Sequence, residues 1–133
     1  MTFWVALLPS GIPGVSGGRG GAGVVAISQD SFPFIGQVLA QELGHAFGRP
    51  HTADCGEGSW VDACYPSVLG LPTASIGEFG FDVQAGITHH PATSHDFMSY
   101  CPEQWVSAYT WARLIEAIPA VLAGRAAPIH TCS

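Results

Sequence analysis

Apolar residues fall at Ile35, Val38, Leu39, Leu43, Ala46 and Phe47, separated mostly by three and four positions. That spacing lines one side of a helix and predicts one over residues 34–47. Ser31 is the candidate cap at its start. Gly48 is a stop signal at its end, because glycine enters the left-handed conformation that closes a helix without steric cost. A second stretch, 107–122, repeats the helical spacing through Tyr109, Ala112, Leu114, Ile115 and Ile118. Pro119 is expected to kink or interrupt it, since proline lacks an N–H and its ring crowds the preceding turn. Residues 3–8 are a short apolar run ended by Pro9 and read as a buried strand, and residues 24–28, Val-Val-Ala-Ile-Ser, read as a second strand. Residues 52–96 have no helical period and are punctuated throughout by glycine and proline. An irregular stretch of that length needs covalent staples or a function. The elements predict an α+β domain over residues 1–133: a small sheet, a helix, an irregular half and a closing helix, with no internal repeat and no linker.

Composition narrows the class. The chain has 133 residues, of which 47% are hydrophobic and 11% charged, which excludes intrinsic disorder. The net charge is -6, there is no lysine, and Arg19, Arg49, Arg113 and Arg125 are scattered. Nothing here would neutralise a phosphate backbone, so nucleic acid is excluded as a partner. No apolar run reaches the roughly 20 residues that cross a bilayer. Residues 3–8 have no basic residue before them and no small-residue cleavage pattern after, so they are a strand and not a signal peptide. The glycine-rich tract 10–23 lacks a Gly-Lys-Ser/Thr ending and feeds a strand, which excludes a phosphate-binding loop.

The chemistry concentrates in residues 41–51, Gln-Glu-Leu-Gly-His-Ala-Phe-Gly-Arg-Pro-His. Positions 41 and 45 are one helical turn apart and project from one face. Two donors at that spacing can hold one metal ion, and a glutamate between them sits where it can take a proton from water. Gly48 ends the helix and turns the chain, which can bring His51 back as a third ligand. His89, His90 and His95 are further candidate donors, although nothing in their spacing demands it.

This segment resembles the H-E-x-x-H-x-x-G-x-x-H motif of the metzincin-type zinc metallopeptidases at Glu42, His45, Gly48 and His51, with Gln41 in place of the first histidine. The resemblance extends to His95-Asp96-Phe97-Met98-Ser99-Tyr100, which is similar to the methionine-containing tight turn that lies beneath the metal in that family. It covers most of the chain from about residue 20 onward. The tracts at 65–66, 77–82 and 98–110 look most like secreted bacterial members. The resemblance implies a metzincin-like domain whose zinc is held by His45, His51 and a weaker amide donor, Gln41. It implies Glu42 as general base, Met98 as a packing floor, Tyr100 close to the metal, and a protein or peptide as substrate. Trp105, Val106 and Tyr109 follow the turn where the family builds the wall of its main specificity pocket. The family has a further strand, helix and strand ahead of the one at 3–8, so the chain is expected to be a fragment or a reduced variant.

Cys55, Cys64, Cys101 and Cys132 allow three disulfide pairings, and an even count in a small domain points to an oxidising, extracellular compartment. Pairing Cys55 with Cys101 would pin the segment after His51 to the segment after Met98 and leave Cys64 to Cys132. Pairing Cys55 with Cys64 and Cys101 with Cys132 closes shorter loops. Geometry decides between them. Gln41 leaves two functions open, a working peptidase or a peptidase-like binding module that retains the cleft without turnover.

Overall fold

The computed structural model describes residues 4–9, 18–20, 25–30, 35–52, 55–56 and 59–132. The architecture mixes helices with small sheets, in the α+β class. The chain divides into two compact units, residues 1–49 with 114–129 and residues 50–113 with 130–133, and each is described by itself.

The first unit holds strands β1 (Trp4–Pro9), β2 (Gly18–Gly20) and β3 (Val25–Asp30) in the order β1-β3-β2. The β1–β3 pair is parallel and the β2–β3 pair antiparallel. Two of these strands match the predicted apolar runs to within two residues at each end. The third, β2, is a Gly-Arg-Gly tripeptide with no apolar signature. Ser31 lies outside the described residues.

Helix α1 (Ile35–Ala46) lies against β3 and β2. Its end is a left-handed closure set by sequence. Gly48 has φ 79°, its N–H donates to the His45 carbonyl (2.9 Å), and the Arg49 N–H donates to the Gly44 carbonyl (2.9 Å). Glycine is required here twice, because a Cβ at position 48 would also stand 2.5 Å from the Ala127 Cβ.

Helix α2 (Ala108–Leu122) runs through Pro119 without a break, contrary to the expected interruption. Ile115, whose carbonyl would have accepted the missing N–H, is exposed, so water can satisfy it. Leu114, Ala117 and Val121 are the buried stripe of this helix.

The second unit contains a β-hairpin of β4 (Gly80–Asp82) and β5 (Ile87–His89), then a short parallel pair, β6 (His95–Asp96) with β7 (Gln104–Trp105). The irregular half predicted for 52–96 is therefore partly regular. It is also stapled: Cys55 bonds Cys101 and Cys64 bonds Cys132. Two disulfides fit an oxidising compartment. Among the described residues no helix is long and apolar enough to cross a membrane.

Replacing Gly48 with alanine is expected to cost about 2 kcal/mol or more, from the positive φ and the contact with Ala127. Gly36→Ala, on an exposed helical position with nothing within 4 Å, should instead raise stability by about 0.5 kcal/mol. Denaturant midpoints of the two variants check the contrast, and equal shifts would rule out this account of Gly48.

Candidate metal-binding and catalytic residues

The residues singled out by the motif divide between the two units. Gln41, Glu42 and His45 belong to the first, on the last turns of α1. All three are buried, at 7%, 6% and 5% exposure. Buried polar side chains on a helix are costly unless each is partnered, so these three do not form a solvated face.

The same left-handed closure that ends α1 also orients His45. Once Gly48 has turned the chain, the Arg49 carbonyl points back along the helix and lies 2.7 Å from His45 Nδ1. A carbonyl can only accept, so Nδ1 is the donor of this pair. Metal-binding histidines are commonly held in this way, with one ring nitrogen fixed on a carbonyl or carboxylate and the other presented as the ligand.

His51, Met98 and Tyr100 lie in the second unit. The His51 backbone is clamped on both sides: its N–H donates to the Trp60 carbonyl (3.0 Å) and its carbonyl accepts the Asp62 N–H (2.7 Å). His51 Nδ1 faces the Ser59 carbonyl at 3.4 Å, a longer version of the His45 arrangement. The His51 ring lies 5.1 Å from the Tyr100 ring, tilted by 38°. Tyr100 is 52% exposed, so its hydroxyl-bearing ring is accessible to a ligand.

Met98 has no exposed surface and sits in a tight turn. The turn is organised by a residue that sequence reading passed over, Asp96. One carboxylate oxygen accepts the Met98 N–H (2.9 Å), and the Asp96 carbonyl accepts both the Ser99 N–H (2.9 Å) and the Ser99 hydroxyl (2.7 Å). The other carboxylate oxygen accepts the Ser107 N–H (3.1 Å) and the Ser107 hydroxyl. Ser107 in turn caps α2, its hydroxyl oxygen accepting the Thr110 N–H at 3.0 Å. The Met98 carbonyl accepts the N–H of Thr52, the neighbour of His51, at 3.1 Å. A chain of hydrogen bonds thus runs from the cap of α2 through Asp96 and Met98 to the residue beside His51. The signal available in sequence was an Asp two residues before a turn residue, with a Ser just ahead of a helix.

Asp96 has no exposed surface, and burial lifts its carboxyl above the usual range, against the opposing pull of Ser107 and the Met98 N–H. Burial also raises the Tyr65 phenol, with the Asp96 charge as the next cause. That phenol is neutral and donates to the Ser75 carbonyl at 2.7 Å.

The three residues proposed as a pocket wall have definite places. Trp105 is stacked on His89, ring centroids 4.1 Å apart at 13°, and covers the Cα of Gly80. Val106 is half-buried between Trp105 and the cap of α2. The Tyr109 hydroxyl donates to Asp62 (3.0 Å), with the Arg113 guanidinium 5.1 Å above its ring. Of the extra histidines, His90 accepts the Ala92 N–H on Nδ1 (3.1 Å), and His95 places Nδ1 on the Pro102 carbonyl (2.8 Å). Holding Nδ1 on a carbonyl is thus not confined to the motif histidines.

Among the described residues no group of three or more histidine, cysteine, aspartate or glutamate side chains is gathered to hold a metal. The motif's own donors are two imidazoles and an amide, so it does not call for such a group. In the first unit Gln41 lies one helical turn from His45, and His45 and His51 each set Nδ1 against a backbone carbonyl, as metal-binding histidines commonly do. No family model, curated protein or solved structure matches the chain.

The folded chain holds the Asp96 proton more tightly than the unfolded chain does. The contribution of this group to stability is therefore complete below the unfolded value near pH 4 and is lost as pH rises through the raised folded value. Compared with a non-titrating Asp96→Asn variant, the wild-type advantage should shrink as pH rises from about 4. Denaturant unfolding over a pH series measures this, and an advantage that grew with pH would contradict it. Asp96→Ala, which leaves two buried N–H groups unpaired, should cost about 3 kcal/mol or more at any pH in the series.

Proposed function

We propose that this chain is a metzincin-like peptidase domain, exported from the cell, that hydrolyses peptide bonds in a protein or peptide substrate with the help of one zinc ion. The observation that carries the reading is the spacing of Glu42, His45, Gly48 and His51 in the sequence, with Glu42 and His45 on a helix whose left-handed end sets the Arg49 carbonyl against His45 Nδ1. The residues that would hold the metal are His45 and His51 through Nε2, and Gln41 through its amide oxygen. Bound zinc would supply Lewis-acid polarisation of the scissile carbonyl and a lowered pKa for the attacking water.

The remaining work falls to side chains of the chain itself. The Glu42 carboxylate accepts a proton from the water as its oxygen attacks the carbonyl carbon. It then returns that proton to the amine nitrogen as the C–N bond breaks. The Tyr100 hydroxyl donates to the oxygen on which negative charge develops. Asp96 and Met98 take no part in bond making and hold the backbone beside His51 in register.

Gln41 favours a second reading, a binding module that retains the peptide cleft but turns over slowly or not at all. An amide oxygen is neutral and a poorer zinc donor than imidazole. Loss of a group that merely supports a ligand costs about 10–100-fold in metal affinity, so replacing a ligand imidazole should cost at least as much. Competition with a chelating dye, together with cleavage of an unstructured fluorescent protein, separates the two readings. Gln41→His is expected to raise zinc affinity by about tenfold or more and to raise cleavage with it. Glu42→Gln is expected to abolish cleavage and leave zinc affinity near its starting value. Affinity gained without cleavage would favour the binding module. No gain in either would sink the metal-site reading.

A further inference from the structure

At its base, the β4–β5 hairpin is held on one face and open on the other. Its register pairs Gly80 with His89, Phe81 with Thr88 and Asp82 with Ile87. The Gly80–His89 face is anchored: His89 stacks on Trp105, and Trp105 occupies the space that a Cβ on Gly80 would need. The turn is closed by Asp82, whose carboxylate accepts the N–H groups of Gln84 and Ala85 (2.9 Å each) and whose carbonyl accepts the Gly86 N–H (2.7 Å). Gly86 supplies the left-handed residue there, with φ 68°. The hairpin is thus fixed at its base and at its tip.

The other face is aromatic and open to solvent. Phe79 contacts His90 edge-on at 4.6 Å, one step beyond the last paired residues, and Phe81 follows on the same face opposite Thr88. Phe79 is 67% exposed, Phe81 58% and, at the turn, Val83 83%. A scattered exposed apolar residue needs no explanation, but neighbouring ones held open on an anchored element do. Among the described residues neither β4 nor β5 pairs with another strand, so each has an outer edge. The proline and lysine that usually protect such edges are absent from both. Charge defines the occupant. Apart from the buried Asp96, residues 50–113 carry six carboxylates and one arginine, Arg113, and exposed Glu78 adjoins Phe79.

We propose that this hairpin is a docking strip for an extended, cationic polypeptide segment with apolar residues at alternate positions. Its backbone would pair with an outer edge of the hairpin. One side-chain row would cover Phe79 and Phe81 while the basic residues meet Glu78 and the carboxylate of Asp82 at the turn. The fixed base and tip mean that little order has to be gained on binding. This strip does not depend on the peptidase reading. In a peptidase it would hold basic protein substrates, and in a binding module it would be a main contact.

The test uses the full chain carrying Glu42→Gln, so that no probe is consumed, and measures association alone by fluorescence anisotropy. The probe is a short peptide alternating arginine with valine. The controls are the same peptide with glutamate for arginine, and neutral phosphatidylcholine vesicles. The basic peptide should bind, the acidic one should not, and added salt should weaken binding. Phe81→Ser should lower affinity about tenfold or more. Residue 81 is exposed, so an unchanged melting temperature and circular dichroism spectrum are expected to accompany that loss. Equal binding of both peptides, or no effect of Phe81→Ser, would overturn the proposal. So would a dimer that Phe81→Ser dissociates, which would make a second copy of the chain the occupant. Phe81-dependent binding to the vesicles without peptide binding would overturn it in favour of a lipid surface.

Discussion

The buried carboxylate of Asp96 is the constraint on which the second unit depends. A carboxylate removed from water is tolerated only when its oxygens are satisfied, and here backbone N–H groups and a serine hydroxyl satisfy them. Those donors come from two pieces of structure. Met98 fixes the tight turn, and Ser107 fixes the start of α2. The Asp96 N–H donates to the carbonyl of Ala74 (2.7 Å), itself a buried residue at φ 57°. The adjacent His95 N–H donates to Glu103 (3.0 Å), another residue with positive φ. Non-glycine residues adopt that conformation at a cost, and the hydrogen bonds to β6 offset it. The Cys55–Cys101 disulfide ties the residue after Tyr100 to the chain just beyond His51, reinforcing what the Met98–Thr52 hydrogen bond begins.

Much of the fold was legible where the governing interactions are local. The limits of α1 follow from a 3.6-residue apolar period and from one glycine, and α2 begins within a residue of its predicted start. Pro119 does not interrupt α2, because the cost of a helical proline depends on the folded surroundings of the unpaired carbonyl and not on the local sequence alone. The hairpin at 80–89 was missed for a related reason. Its strands are three residues long, and one begins with a glycine whose role is to make room for Trp105. The disulfide pairing was open because both arrangements close plausible loops, and only the folded chain brings Cys55 to Cys101.

The candidate residues divide along the same line. Gln41, Glu42 and His45 are visible because helical geometry links residues three and four apart, and Gly48 and His51 because the resembled motif fixes their spacing. What orients them was not visible. The Arg49 carbonyl acts through its backbone, which any side chain at that position would supply. Asp96 acts on Ser107, 11 residues away, and that separation has no periodicity to betray it. Trp105 and Tyr109, which resemblance assigns to a pocket wall, are also packing residues, stacked on His89 and bonded to Asp62.

In the zinc reading proposed above, the departure from the resembled motif is one donor, the amide of Gln41. Whether two imidazoles held on backbone carbonyls suffice to keep zinc beside that amide is a question about a first coordination shell, and X-ray absorption at the zinc edge of the metal-loaded full chain reads that shell directly. The expected spectrum shows scattering from two imidazoles, those of His45 and His51, with the remaining neighbours oxygen. A spectrum with no imidazole scattering, or one unchanged when His45 or His51 is replaced, would contradict the assignment of this segment as a metal site.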